Sequence, residues 1–181
     1  MYPEAYVEYL VQFHAERDYF ECHEILEEYW KESPPGERQA VWVALIQIAV
    51  SLYHQRRGNF AGALKMMRSA IAGIMREKAA VKALGLDVDS LLAMLRLAAA
   101  QQEARQPYRS ISLPIADPAL LEACRTICAD RGLSFDRESD LQNEFLLHKH
   151  TLRDRSDVVE ERERQLRRRS QPRDRSTGSD T

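Results

Sequence analysis

The stretch over residues 40–53, AVWVALIQIAVSLY, is apolar on nearly every side of a helical wheel and is interrupted by Gln47. It falls short of the ~20 apolar residues that cross a bilayer, so it reads as a core helix. A helix that is apolar all round is stable only when other helices cover most of it. The fold is therefore expected to be built around residues 37–57, with SPPG at 33–36 breaking the chain before them and Gly58 ending the helix behind them.

The remaining segments supply the neighbours. No segment alternates convincingly at period two, while several recur at three and four, which predicts helices throughout. The first runs from about Pro3 to Arg17, with Tyr6, Val7, Leu10 and Phe13 on its apolar face and His14 bordering that face as a partly buried surface residue. Asp18 can cap the second helix, and Glu21 three residues later completes a capping-box pattern. Asn59 can cap the fourth, whose residues Phe60, Leu64, Met67, Ile71 and Ile74 form one stripe read as core packing, with the helix continuing to Gly85. A fifth covers about 89–102, and short connections favour antiparallel neighbours. After Gln106 the chain reads as extended to Ile115, then as a short helix from Asp117-Pro118 closed by Gly132. The expected fold is all-α: a compact bundle of about five helices over 1–115, a short helical extension over 116–150, and a disordered charged tail over 151–181.

Charge and cysteine content narrow the function classes. The formal net charge of -2 over 181 residues argues against a surface that coats nucleic acid. Residues 151–181 hold 9 Arg and 7 Asp or Glu, a net of +2, and read as a solvated polyampholyte, so a nucleic-acid partner is not expected there either. The three cysteines are an odd, sparse set that fits a reduced intracellular protein, and Cys124 and Cys128 read as small core residues. The first residues, MYPEAY, have neither the basic region nor the apolar stretch of a signal peptide. A cytoplasmic protein with no membrane partner is expected, and a second copy of the chain remains open as a partner.

Chemistry concentrates on the second helix. Rotation by about 100° per residue places Phe20, His23, Glu27 and Trp30 on one face, with Glu21, Glu24, Glu28 and Lys31 opposite. An imidazole and a carboxylate thus stand one turn apart between two aromatics, where a buried carboxylate needs a partner. The third helix carries Gln47, Ser51 and His54 at i, i+4 and i+7 on an otherwise apolar cylinder. If the two polar lines face each other, His23, Glu27, Gln47 and His54 form one buried cluster. In one reading His23, Glu27 and His54 bind a divalent metal ion: two nitrogens and a carboxylate with an open position suit zinc, iron or manganese. Gln47, Trp30 and Arg57 would surround those ligands and orient them or a bound water. In the other reading His23 and Glu27 are a hydrogen-bonded pair that fixes helix register.

Several chemistries are excluded by pattern. His23 to Glu27 spells HExxE, which lacks the second histidine of zinc-protease HExxH. The doubled Glu-x-x-His of di-iron bundles, a glycine-rich phosphate loop and a serine nucleophile elbow are all missing.

The run 19–30, with His23, Glu27 and Trp30 spaced as HxxxExxW, resembles the bacterial and archaeal domain of unknown function 309 family. The segment LIQIAV at 45–50 through His54 and Arg57-Gly58-Asn59 is similar to the second block of that family, and the resemblance covers about residues 8–105. It implies a bundle of about five helices and a metal role for the HxxxExxW residues, and it names no reaction. The competing function is a non-catalytic helical interaction or scaffold module. The turn and helix from Arg57 to Leu64 have a tetratricopeptide-like pattern, but no second copy follows at a 34-residue period.

Overall fold

The computed structural model describes residues 1–152. Helix α1 (Glu4–Val11) starts behind Pro3 and buries Tyr6, Tyr9, Leu10 and Val11. It widens into a single π-type turn, Gln12–Glu16, which Arg17 closes in the left-handed conformation (φ 56°). Asp18 then caps α2 (Tyr19–Glu32), its carboxylate accepting from the Glu21 amide at 3.0 Å. The Glu21 carboxylate pairs with Lys149.

The apolar run forms α3 (Ala40–Arg56), the centre of the bundle. It begins later than the expected residue 37, because Pro34–Glu37 close a turn (Glu37 N to Pro34 O, 2.9 Å) and Arg38 Nε donates to the Ser33 carbonyl. Asn59 caps α4 (Phe60–Arg76) as expected. That helix does not continue to Gly85: it breaks at Glu77 (φ -104°), and α5 (Lys78–Ala83) follows. Helix α6 (Val88–Glu103) is capped by Asp87, and α7 (Pro118–Asp130) by Asp117. A last helix, α8 (Glu144–Leu152), is kinked at His148.

Helix α3 packs against α2 on one side and α4 on the other; α4 also packs on α6, and α1 on α2 and α7. Ala44 of α3 sits so close to Gly73 of α4 that a Cβ on Gly73 would lie 2.8 Å from the alanine's own. Tyr9 Oη donates to the Leu45 carbonyl at 2.9 Å, tying α1 to α3. The extended segment after α6 crosses back along the bundle, with Leu86 and Ile115 forming an antiparallel bridge and Asp87 N donating to Pro114 O at 2.9 Å. Cys124 and Cys128 are buried core residues against α1, as their apolar neighbours indicated. Residues Met1–Lys149 form one compact unit. The fold is all-α with no strand among the described residues, and the expected disordered tail lies outside those residues from position 153. No helix among the described residues is long and apolar enough to cross a membrane.

Candidate metal centre on helix α2

Asp18 fixes the start of α2 and hence the rotation of every later residue on it. His23 and Glu27, one turn apart, share a face: His23 Nε2 stands 3.5 Å from Glu27 Oε2, and Nδ1 stands 3.1 Å from Glu24 Oε1. The imidazole therefore lies between two carboxylates. Ligand atoms of His23, Glu24 and Glu27 all fall within 4.8 Å of one another, the one such set among the described residues. The second Glu27 oxygen accepts from Lys31 Nζ at 3.0 Å.

Two features differ from the sequence expectation. The pair is not buried: the side chains of His23 and Glu27 are 31% and 35% exposed. Nor do the two polar lines merge into one cluster. Ser51 is fully buried, but its hydroxyl donates to the Ala63 carbonyl of α4 at 2.8 Å and accepts from Gln102 of α6 at 2.9 Å. Gln47 lines a shallow groove between α3 and α4 with Val43, Ser69 and Arg76. His54 sits at the C-terminal end of α3 with Nδ1 3.1 Å from Asn59 Nδ2, and it is not in the His23 set. Burial and the neighbouring Arg57 push its imidazole below the ordinary histidine value, which favours the neutral ring.

The reason is angular. Residues four apart differ by about +40° around a helix and residues three apart by about −60°, so i, i+4, i+7 spans about 60°, with Ser51 at one edge and His54 at the other. On α3 that sector spans the edge of the α4 interface: Ser51 falls inside it, while Gln47 and His54 fall outside and stay half-exposed.

The expected surrounding residues are placed apart as well. Trp30 receives the Arg38 guanidinium over its ring at 4.6 Å, and Arg57 lies over Tyr53 at 5.3 Å. Phe20 links the two helices, with its ring centroid 6.3 Å from His23 and 6.1 Å from Tyr53. Periodicity puts Glu24 on the opposite, solvent side. The structure brings it to the imidazole because adjacent side chains on a helix can reach around one ring.

The two contacts of the imidazole differ in length. The 3.1 Å contact to Glu24 is a hydrogen bond, whereas 3.5 Å to Glu27 lies at the outer limit for one. Two ligand atoms each about 2.1 Å from zinc at a tetrahedral angle lie about 3.4 Å apart. The wider gap therefore matches the space between two ligands of one ion.

A family model described as a domain of unknown function (DUF309) matches residues 6–66, a span that includes most of α1 and all of α2 and α3. The chain is 52% identical over 174 residues to the uncharacterized protein YpuF of Bacillus subtilis (strain 168), covering 96% of this chain and 100% of that protein. That match continues past the family-model span through the residues of α6 and α7. No solved structure gives a significant match. A relative this similar along its whole length, together with the family-model match over α1–α3, assigns the chain: it belongs to the DUF309 family of domains of unknown function.

Proposed function

We propose that the domain binds one divalent metal ion on the exposed face of α2, with His23 Nε2 and Glu27 as ligands and Glu24 orienting the imidazole. The observation that carries this reading is the 3.5 Å gap between His23 Nε2 and Glu27 Oε2 beside the closed 3.1 Å contact to Glu24. One nitrogen and carboxylate oxygens suit zinc, iron or manganese, with zinc favoured by the tetrahedral spacing. Two protein ligands on an open helix face leave coordination positions to water or to a group on a partner or substrate. The function so described is presentation of a cation at the surface of a helical domain. The three buried free thiols support a cytoplasmic location, where thiols stay reduced.

Titration calorimetry with zinc chloride tests it. One ion per chain is expected for the unaltered protein, with affinity at least about tenfold weaker in both His23→Ala and Glu27→Gln. Absence of binding, or equal binding by all three proteins, overturns the proposal.

A second reading is favoured by α3, whose half-exposed Val43 and Val50 share an outer line with Gln47 and His54. A mixed line of two valines, a glutamine and a histidine on the most apolar helix of the described residues suits a protein partner, and the domain is then a non-catalytic interaction module. Concentration-dependent sedimentation that is unchanged by chelator and abolished by Val50→Glu would support that reading over the metal.

A further inference from the structure

His14 is 1% exposed, although it lies at the end of the first helix where the sequence placed it near the surface. Its Nδ1 is 2.6 Å from Asp136 Oδ1, and Phe135 stacks on its ring with centroids 4.5 Å apart and planes 8° from parallel. The hydroxyl of Ser112 donates to the same Asp136 oxygen at 2.6 Å. Its Nε2 is buried and without a partner among the described residues. The surrounding backbone is unusual. His14 sits in a π-type turn, and two of the three described non-glycine residues with positive φ, Arg17 (56°) and Asp136 (61°), lie beside it. Such conformations persist only where the surroundings hold them.

Most of what holds residues 133–149 to the bundle is polar. Arg17 Nε donates to the Arg137 carbonyl at 2.7 Å, Arg56 donates to Ser139 Oγ at 2.9 Å and to the Leu146 carbonyl at 3.2 Å, and Lys149 pairs with Asp18 at 2.6 Å. Leu146 is the one buried apolar residue of the segment, with Leu133 and Phe135 packed at the core's edge. A segment with so little apolar burial belongs to the low-stability part of a fold and can open while the helices behind it stay formed.

We propose that residues 133–149 form a releasable strap, latched by the His14–Asp136 pair, that lets go of the α1–α2 corner when His14 takes up a proton. Neutral imidazole fits the pocket with a single donor: Nδ1–H serves Asp136, and the bare Nε2 is buried without a hydrogen-bond partner. Protonation places a second N–H on Nε2, where no acceptor stands. The charged groups acting on His14 are Asp136 from the strap and Arg17 from its own turn; α7 brings the Cys128 thiol towards the same carboxylate. Burial, aided by the Arg17 cation, outweighs the attraction of Asp136 and holds the imidazole below its ordinary value. Free of the pocket, the same histidine protonates near its ordinary value of 6.5. The docked strap is therefore fully favoured above that pH, and docking weakens by up to about tenfold per pH unit below it until docked His14 itself protonates. Opening also removes Lys149 from Asp18 and Glu21, which form the capped first turn of α2 just ahead of His23.

Hydrogen exchange of the full chain, corrected for intrinsic rates, tests the latch at pH 7.5 and 5.5. The Ser139 amide, bonded to Ser110 Oγ at 3.0 Å, reports strap docking, and amides of α3 report the bundle. Protection at Ser139 is expected to fall, by at most about tenfold, while α3 is unchanged. In His14→Phe, which fills the pocket without a titrating nitrogen, that pH dependence should vanish. In Asp136→Asn, which removes the charge favouring protonated docked His14 and weakens the latch, opening should be greater at every pH. Constant Ser139 protection, loss shared equally by α3, or an unchanged response in both variants overturns the proposal.

Discussion

At the scale of single residues, the candidate site is a balance between an ion and the side chains already occupying its carboxylates. Lys31 Nζ sits 3.0 Å from Glu27, so a cation approaching the other oxygen meets a like charge and a carboxylate already partly neutralised. Both partners are well exposed, which limits the effect to that of a surface ion pair. Lys31→Met should therefore strengthen zinc binding by about two- to fivefold in the same calorimetric titration. Unchanged or weaker binding would show that the Lys31–Glu27 pair does not oppose the ion. His14 gives the contrasting case. Its place at the margin of an apolar face suggested partial exposure, but Phe135 and Asp136 cover it from more than a hundred residues away. No local pattern signals such a partner.

At the scale of elements, the α3–α4 contact decides how the bundle closes. A glycine in a helix interior is normally a weakness, and alanine would add about 0.5–1 kcal/mol of helical preference. At Gly73 the added Cβ would meet the Ala44 Cβ at 2.8 Å, with the Ala44 Cα at 3.6 Å behind it. Relief requires the two helices to separate, and overpacking of this kind costs about 1–3 kcal/mol. Gly73→Ala is therefore expected to lower the urea midpoint, and Ala44→Gly in the same chain to restore part of the loss. A midpoint that rises in the single variant would mean that the interface yields more easily than the propensity gain. The same contact explains why the polar line on α3 divides as it does. Close approach of α4 draws Ser51 into the interface with Ala63 and Gln102, while Gln47 and His54 remain outside it.

At the scale of the whole molecule, acid acts on more than the strap. Arg131 holds Glu8 through two 2.8 Å hydrogen bonds, joining α1 to the end of α7, and lowers the Glu8 carboxyl below its ordinary value of 4.5. A carboxyl depressed in the folded state adds stability above its ordinary value, and that stability is lost as pH falls through the folded value. Thermal melting of Arg131→Gln should thus lie below that of the unaltered protein at pH 7. The two should converge as pH falls below about 4.5, where Glu8 is protonated in the unfolded chain. A difference that persists undiminished at pH 3 would assign the effect of Arg131 to packing rather than charge. The Glu8 response sets in only below about 4.5, whereas that of His14 sets in near 6.5.

Much of the architecture follows from local pattern. The caps at Asp18 and Asn59, the apolar run of α3 and the breaker at Pro34-Pro35 specify which segments are helical, because helix formation depends on residues within one turn. That periodicity also puts His23 and Glu27 on one face of α2, and here the sequence determined the central pair of the candidate site by itself. What only the tertiary structure decided is where that face points and what stands next to it. The pair is half-exposed, Glu24 replaces His54 as its neighbour, and His14 is enclosed by the strap. Exposure depends on how much of a helix's circumference its neighbours cover, and contacts such as His14 with Asp136 join residues far apart in the chain. Neither is written in the 3.6-residue period that makes the helices legible.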